Sequence, residues 1–314
     1  MTGRVGVLLP RDLPAAQVLP FARRAEELGF DELWVVEDLG FRGGVAQAGA
    51  VLAATRRLTV GIGIMPAGAR NAAFAAMELA TLAQLFPGRL IAGIGHGMPD
   101  WMRQAGAWPA SPLTLLREYT VAVRALLRGE PGPPPGRYVD VAGTVIGEKP
   151  EVVPAVVLGV RGPRSLAVAG QVADGVLLAE PATPPYITAS LAHLAGTPEV
   201  ITYDIAAVDD DGHAARERAR TGLMWIGEPD WAPHLAPLPF APDLAEHRRS
   251  CSGPEEFART MPEAWVAELA LAGTPDEVRN RIAARHEAGA TAVVLAPIGP
   301  DRLAELAQLA RVAP

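Results

Sequence analysis

The segment Leu90-Ile91-Ala92-Gly93-Ile94-Gly95-His96-Gly97 decides the fold. Its first half is a continuous apolar run, which predicts a strand buried on both faces. Glycines and a histidine follow at once, and a second segment, Val152–Leu158 leading into Gly159-Val160-Arg161-Gly162-Pro163-Arg164, repeats this order. Parallel α/β folds bind ligands in the loops after their strands. Glycine there lets the backbone approach a flat ring or a phosphate closely, so both loops predict a binding site.

Short apolar runs alternate with stretches of helical periodicity along most of the chain. The predicted strands are Val5–Leu9, Leu33–Val36, Leu58–Ile64, Leu90–Ile94, Ala155–Leu158, Gly175–Ala179, Val200–Val208 and Thr291–Ala296. Eight strands with intervening helices predict an α/β fold of the (β/α)8 type, a TIM barrel. A doubly wound open sheet is the rival, but its G-x-G-x-x-G fingerprint is not met, because Met98 follows where the pattern needs glycine.

Two proline-rich stretches interrupt this alternation. The first, Glu130–Gly136, predicts irregular structure leading into a short hairpin around Tyr138–Val145. The second is Pro229–Pro242, which contains five prolines and two aromatic residues. It is either a surface loop or an insertion that forms a lid or substrate wall over the barrel, since long loops in compact domains are often functional.

Composition limits the class of protein. The net charge of −7 leaves no basic stripe to match phosphates, which disfavours a nucleic-acid partner. No apolar run reaches the roughly 18 residues of a membrane span, and the N-terminus shows no signal-peptide pattern. The single cysteine, Cys251, excludes an internal disulfide and fits a cytoplasmic protein. The six histidines show no paired spacing, so we expect no metal site.

Three motifs carry a family resemblance. Phe86–Gly95 is similar to a "GR-x-x-x-G-x-G" pattern, Gly162–Val176 contains "AG-x-x-ADG", and Ala272–Val278 contains "G-T-P-x-E-V". In this order and spacing, the chain resembles the luciferase-like flavin-dependent oxidoreductases, and especially their coenzyme F420-dependent branch, over nearly its whole length. The resemblance implies a single luciferase-like TIM-barrel domain over residues 1–314, holding a flavin or deazaflavin ring at the mouth formed by the C-terminal strand ends.

The implied activity is F420-dependent hydride transfer to or from a small organic substrate. An FMN-dependent monooxygenase on the same scaffold is the alternative, and a non-catalytic flavin-binding protein is a second alternative. The loops Met98–Trp108 and Pro229–Phe240 would line the pocket, and their side chains are mostly apolar or aromatic, which favours a largely apolar substrate. Members of this family often form dimers, so a homodimer is expected.

Cofactor contacts are expected from the glycine-containing loops after the fourth and fifth strands. Arg161 and Arg164 flank the predicted start of a helix, where the dipole and free N–H groups favour an anion; they are otherwise solvated surface charges. The expected contacts in these loops are Gly95, Gly97, Gly159, Arg161, Gly162, Pro163 and Arg164.

The third strand supplies a further cofactor contact. In F420-dependent relatives, a non-proline cis peptide just before a similar arginine forms a bulge behind the ring. The resemblance therefore implies a cis Gly63–Ile64 bond, with Arg70 following it, on the cofactor side of the barrel. The alternative is that glycine here only makes room for packing inside the barrel.

Three residues are candidates for proton transfer. Many family members carry Asp-His where this chain has Glu37-Asp38, so either carboxylate could act as a general acid, or Glu37 could instead pair with an arginine and be structural. His96 occupies a loop position where relatives can carry a proton-donating carboxylate, and imidazole titrates near neutral pH. The choice among His96, Glu37 and Asp38 stays open at this point.

Overall fold

The computed structural model describes residues 3–196 and 198–313, and its centre is a closed parallel barrel of eight strands. The barrel closes because β1 pairs with both its chain neighbour and the last strand, which also pairs with β7. The strands are β1 (Arg4–Leu8), β2 (Glu32–Val35), β3 (Thr59–Pro66), β4 (Leu90–Gly95), β5 (Ala155–Gly159), β6 (Gly175–Leu178), β7 (Glu199–Val208), β8 (Leu271–Gly273) and β9 (Ala292–Pro297). The predicted TIM barrel is confirmed.

Helices surround this barrel and cover the outer faces of its strands. They are α1 (Ala15–Glu27), α2 (Gly44–Ala54), α3 (Ala72–Leu85), α4 (Pro99–Gln104), α5 (Pro112–Leu127), α6 (Pro163–Val172), α7 (Pro184–Leu191), α8 (Gly212–Ala219), α9 (Ala232–Leu235), α10 (Ala241–Ser250), α11 (Pro254–Thr260), α12 (Glu263–Leu269), α13 (Pro275–Glu287) and α14 (Arg302–Leu309). The sequence at Thr274 explains why α13 begins there. Thr274 and Glu277 form a reciprocal capping box, and Pro275 is the first residue of the helix.

Two aromatic side chains fill the centre of the barrel. Trp34 of β2 and Tyr203 of β7 meet edge to face, with ring centroids 5.7 Å apart. Below them, at the end where the strands begin, Glu32 accepts a hydrogen bond from Trp34 Nε1 at 2.7 Å and pairs with Arg4. We call this end the barrel base, and the opposite end, where the strands finish, the barrel mouth.

The chain between β7 and β8 forms an insertion with an apolar core of its own. Helices α8 to α12 enclose side chains such as Leu223, Phe257 and Leu269, all fully buried. The stretch Pro229–Pro242 is helical in part: it contains a 3-10 turn at Pro229–Trp231, α9 and the first turn of α10. Trp231 Nε1 donates to the carbonyl of Glu180 just beyond β6, so this stretch lies at the mouth.

Two sequence expectations were wrong. The hairpin around Tyr138–Val145 does not form, because the carboxylate of Glu118 accepts the N–H groups of residues 137, 138 and 139 that a partner strand would otherwise bond. A ninth strand, β8, was missed; it has only three residues and pairs with the end of β7, outside the closed barrel. The strand predicted at Thr291–Ala296 is β9 and closes the barrel.

Within residues 3–196 and 198–313, no helix combines the length and the apolar character that crossing a bilayer needs.

Candidate active site

The floor of the mouth is built by a bulge in β3. Ile62 pairs with Ala92 and Met65 with Ile94, so two residues of β3, Gly63 and Ile64, face one residue of β4. The Gly63–Ile64 peptide bond is cis, as the resemblance implied. The Ile64 side chain is half-buried at this bulge.

Glycines of the neighbouring strands make room for Ile64. A Cβ added at Gly95 would lie 2.9 Å from Ile64 Cγ1, and one added at Gly159 would lie 2.5 Å from Ile64 Cγ2. These glycines were expected to bring backbone amides up to a ring. In the structure, their main effect is on packing: without Cβ atoms, they let the Ile64 side chain lie across the ends of β4 and β5. The result is a small apolar platform open to the mouth.

Tyr203 stands directly beneath this platform. A Cβ at Gly63 would overlap its hydroxyl and lie 2.9 Å from Leu177 Cδ1, so glycine is required there by packing. Burial, with the charge of Glu180 second, raises the pKa of Tyr203 well above its ordinary value. Its Oη is buried and has no hydrogen-bond partner among the described residues.

Beside the platform, α6 begins without a side-chain cap. Gly162 occupies the N-cap position, Pro163 is the first helical residue, and a Cβ at Gly162 would meet no atom within 4 Å. Arg164 is exposed at this first turn. An open helix start with a nearby cation is suited to a phosphate or carboxylate.

His96 connects the loop after β4 to this helix start. Its Nε2 lies 3.5 Å from Ser165 Oγ. Gly97 follows with φ +73, which lets the chain turn sharply over Met102. Burial lowers the pKa of His96, and the nearby backbone of Pro112 opposes this only in part. His96 is therefore neutral near neutral pH and would accept a proton more readily than donate one.

Arg161 faces the insertion rather than the start of α6. Its guanidinium lies 4.4 Å from the ring centroid of Trp231, in cation–π geometry. Its carbonyl accepts a hydrogen bond from the Tyr186 hydroxyl at 3.0 Å. The structure thus separates the two arginines: Arg164 lies at the helix start and Arg161 at the wall formed by Trp231.

Glu37 and Arg70 are bound to each other. Arg70 Nη2 donates to both Glu37 oxygens, at 2.7 and 2.9 Å, and the N–H of Gly44 donates to Glu37 Oε2 at 2.7 Å. Burial alone would lower the pKa of Arg70, but its hydrogen bond and charge interaction with Glu37 raise it above the ordinary value. The structural alternative for Glu37, pairing with an arginine, is what the geometry shows.

Asp38 is also paired. Arg11, which follows β1, donates from Nη1 to Asp38 Oδ2 at 2.7 Å and stacks over Phe41 with its guanidinium 5.0 Å from the ring centroid. Asp38 therefore stands at the mouth as a carboxylate paired with Arg11.

Sequence reasoning missed Glu180, the residue that follows β6 after Ala179. Its carbonyl accepts the Trp231 Nε1–H at 3.1 Å, and the next residue, Pro181, faces His234 Nδ1 at 3.4 Å from its carbonyl. In the described part of the chain, no side chain hydrogen-bonds to the Glu180 carboxylate. A charged residue directly after a predicted strand was the signal that could have found it.

These features define the class of protein. A TIM barrel with an apolar platform, an open helix start and a covered mouth is an enzyme scaffold for a flat ring that carries an anionic tail. The family model described as luciferase-like monooxygenase matches residues 2–292. The chain belongs to this luciferase-like family.

Several relatives resemble the chain over almost its whole length. It is 26% identical to the 5,10-methylenetetrahydromethanopterin reductase of Methanolobus tindarius, covering 94% of each chain. It is 28% identical to the F420-dependent glucose-6-phosphate dehydrogenase of Microbacterium testaceum, covering 91% of this chain and 88% of the relative. The solved structure of the coenzyme F420-dependent tetrahydromethanopterin reductase from Methanopyrus kandleri superposes with a TM-score of 0.81 at 21% identity, covering 100% and 99% of the two chains.

Proposed function

We propose that the chain is an F420-dependent oxidoreductase that transfers a hydride to or from a small, largely apolar organic substrate. The relatives named above support the F420 assignment, since two of their names state dependence on this coenzyme. The observation that carries the proposal is the Ile64 platform beside the uncapped start of α6. A flat deazaflavin ring could rest on the platform while its acidic tail meets the helix start.

The residues present fit such a cofactor. Ile64 would support one ring face, and Gly162, Pro163 and Arg164 would hold the first anionic group of the tail through backbone N–H groups and one cation. When bound, the deazaflavin supplies a carbon that accepts or donates a hydride. The chain's own contribution is to orient the ring, exclude water from one face and manage the accompanying proton.

The two relatives with full-length similarity act on unlike compounds, by their names a methanopterin and a sugar phosphate. The substrate is therefore argued from this chain alone. Trp231, half-buried beside the mouth, gives the pocket an aromatic wall, and the Ile64 platform gives it an apolar floor. Both favour a substrate with substantial apolar surface.

Binding experiments test the cofactor assignment. Fluorescence titration should show F420 binding more tightly than FMN, and Arg164→Ala should weaken F420 binding by roughly tenfold, the loss of one charge-assisted contact. Arg24→Ala, which alters an exposed arginine in the last turn of α1, just before β2 begins at the barrel base, should leave the affinity unchanged. Equal or tighter binding of FMN to the wild-type protein would reject the F420 preference and favour the monooxygenase alternative. A screen of small alcohols and carbonyl compounds against bound F420 would then identify the substrate.

The assembly stays a prediction: a single domain over residues 1–314 that forms a homodimer. The outer face of α3 supports the second copy, because Phe74, Met77 and Leu85 are 63, 50 and 66% exposed there. A two-fold axis needs only one self-complementary patch, and exposed apolar side chains on one helix can provide it. Sedimentation equilibrium should give twice the chain mass, and Met77→Glu should give the monomer mass. A monomeric wild-type protein would reject the dimer.

A further inference from the structure

We propose that Glu180 is the residue that exchanges the substrate proton when the hydride moves. The inference rests on the proposed function, and it names a catalytic residue that neither the motifs nor the relatives assign. Three observations carry it: the place of Glu180 at the mouth directly after β6, the lack of a side-chain hydrogen-bonding partner for its carboxylate among the described residues, and the occupied state of the other candidates.

The strand order places Glu180 at the mouth, opposite Asp38. In the closed barrel, β2 and β6 lie on opposite sides, with three strands between them. Asp38 follows β2 and Glu180 follows β6, so both residues lie at the end where the strands finish. Trp231 of the insertion donates to the Glu180 carbonyl at 3.1 Å, which holds residue 180 against the cover of the mouth.

The candidates from the sequence are already engaged. Glu37 accepts three hydrogen bonds from Arg70 and Gly44, and Asp38 is paired with Arg11. His96 Nε2 lies 3.5 Å from Ser165 Oγ at the start of α6. A proton carrier must be free to bond the reacting atom. Of these acidic and basic groups, Glu180 alone leaves its carboxylate free within the described residues.

The surroundings of Glu180 favour its protonated form. Burial raises its pKa most, and the charges of Asp204 and Asp38 raise it further, while its own N–H and Arg161 oppose the rise.

The other facing groups do not reverse this direction. Asp204 is itself held by Arg285 at 2.9 Å, and the buried Tyr203 is uncharged. From the insertion, Trp231 is neutral, and burial followed by Arg161 lowers the pKa of His234 to about 3, so it carries no charge near neutral pH. The mouth thus contains one carboxylate that is ion-paired, Asp38, and one whose surroundings favour the protonated form, Glu180. Acid–base catalysis often uses two carboxyl groups whose environments differ in this way.

The proposed step balances as follows. In oxidation, the alcohol O–H proton passes to the Glu180 carboxylate, the C–H bond breaks with its electron pair going to the oxidised deazaflavin, and a C=O bond forms. In reduction, the protonated Glu180 gives its proton to the carbonyl oxygen as the reduced deazaflavin supplies the hydride. Water at the mouth returns Glu180 to its starting state in either direction.

Chemical labelling tests the inference without turnover. Dicyclohexylcarbodiimide, an apolar reagent, modifies protonated carboxyl groups in apolar sites. Peptide mapping by mass spectrometry near neutral pH should show modification at Glu180 and none at Asp38, and saturating F420 should block it. Absence of modification at Glu180, or modification that F420 does not reduce, would overturn the inference. A failure of F420 to bind would be seen separately in the titration, and FMN would then serve as the protecting ligand.

Unfolding as a function of pH gives a second test. The folded protein holds the Glu180 proton to higher pH than the unfolded chain does, so this group lowers stability as pH rises above the unfolded pKa of about 4.5. The stability of Glu180→Gln relative to wild type should therefore increase as the pH rises from acid to neutral. At acid pH the two proteins should be equally stable. Glu228→Gln, which removes a carboxylate paired with Arg248 at 2.7 Å, should show no such gain. A loss of stability at neutral pH in Glu180→Gln would mean that Glu180 is an ion-pair partner and would reject the role.

Discussion

The two ends of the barrel treat buried charge in opposite ways. At the base, Glu32 is fully buried, and both of its oxygens are bonded, one by Arg4 Nε at 2.5 Å and the other by Trp34 Nε1 at 2.7 Å. Arg4 reaches on to Glu199 at 2.6 Å, and Thr291 donates to the same carboxylate at 2.7 Å. Every charge in this network has a partner on another strand.

At the mouth, two polar groups lack side-chain hydrogen-bonding partners among the residues that the structure describes. The Glu180 carboxylate has no side-chain donor, and the Tyr203 hydroxyl has no partner, in the ranges 3–196 and 198–313. Of the two, Tyr203 Oη is fully buried and Glu180 is half-buried. A buried polar group without a bond costs free energy, so a folded protein retains one only where something else compensates. The comparison separates a network that holds the fold from groups kept for a ligand. Both oxygens of Glu32 at the base are bonded, whereas the Tyr203 hydroxyl and the Glu180 carboxylate at the mouth have no side-chain partner among the described residues.

The largest effect should separate Glu180 from His96. With the substrate found in the screen, Glu180→Gln should lower kcat by about 10²–10⁴-fold, the usual contribution of a general acid or base. The sequence left His96 as one of three candidates for this role, and the structure now leads us to expect His96→Ala to lower kcat by less than about tenfold. Steady-state kinetics and an F420 titration of each variant measure both quantities. A large kcat loss confined to His96→Ala would return the role to His96.

At the base, removing a carboxylate should damage stability and leave the chemistry alone. Glu32→Ala should lower the free energy of unfolding by about 3 kcal/mol, because it leaves Arg4 Nε and the buried Trp34 Nε1–H without partners. Glu27→Ala, which removes an exposed pair with Arg24, should cost less than about 1 kcal/mol. Urea unfolding compares the two variants. Equal costs would show that the base network contributes no more than a surface pair.

The smallest predicted effect concerns the packing that supports the platform. Gly63→Ala should lower the free energy of unfolding by about 1–3 kcal/mol, since its Cβ overlaps the Tyr203 hydroxyl. Adding Tyr203→Phe removes that oxygen and should restore part of the loss, although Tyr203 Cζ would still lie 2.9 Å away. Gly147→Ala, where a Cβ meets nothing, is the matched control. Independent, additive effects of the two changes would contradict the proposed contact.

Most of the barrel was predictable from local pattern. The continuous apolar runs located all eight barrel strands, and helical periodicity placed α3 at the observed bounds, Ala72–Leu85. The failures were contacts between distant residues. The hairpin at Tyr138–Val145 was lost to Glu118, and β8 exists only because three residues meet the end of β7. Neither contact has a signature in the local sequence.

The site was predictable in outline and not in detail. Strand-end position and the family motifs indicated Gly63, Ile64 and the start of α6, and the cis bond at Gly63–Ile64 was confirmed. The pairing of Glu37 with Arg70 was an alternative that only the folded geometry could select. Glu180 was passed over because no motif contains it. Its place under the insertion depends on the hydrogen bond from Trp231, a residue 51 positions later in the chain.

The contact that attaches the insertion to the barrel uses the main chain of residue 180. Trp231 bonds the carbonyl oxygen there, an atom that every amino acid possesses. Evolution can therefore exchange the side chain at this position without detaching the cover above it. Because this hydrogen bond does not depend on the side chain of residue 180, a change of that side chain could alter the reaction while the insertion stays attached. Acquiring a new substrate need not require inventing a new architecture.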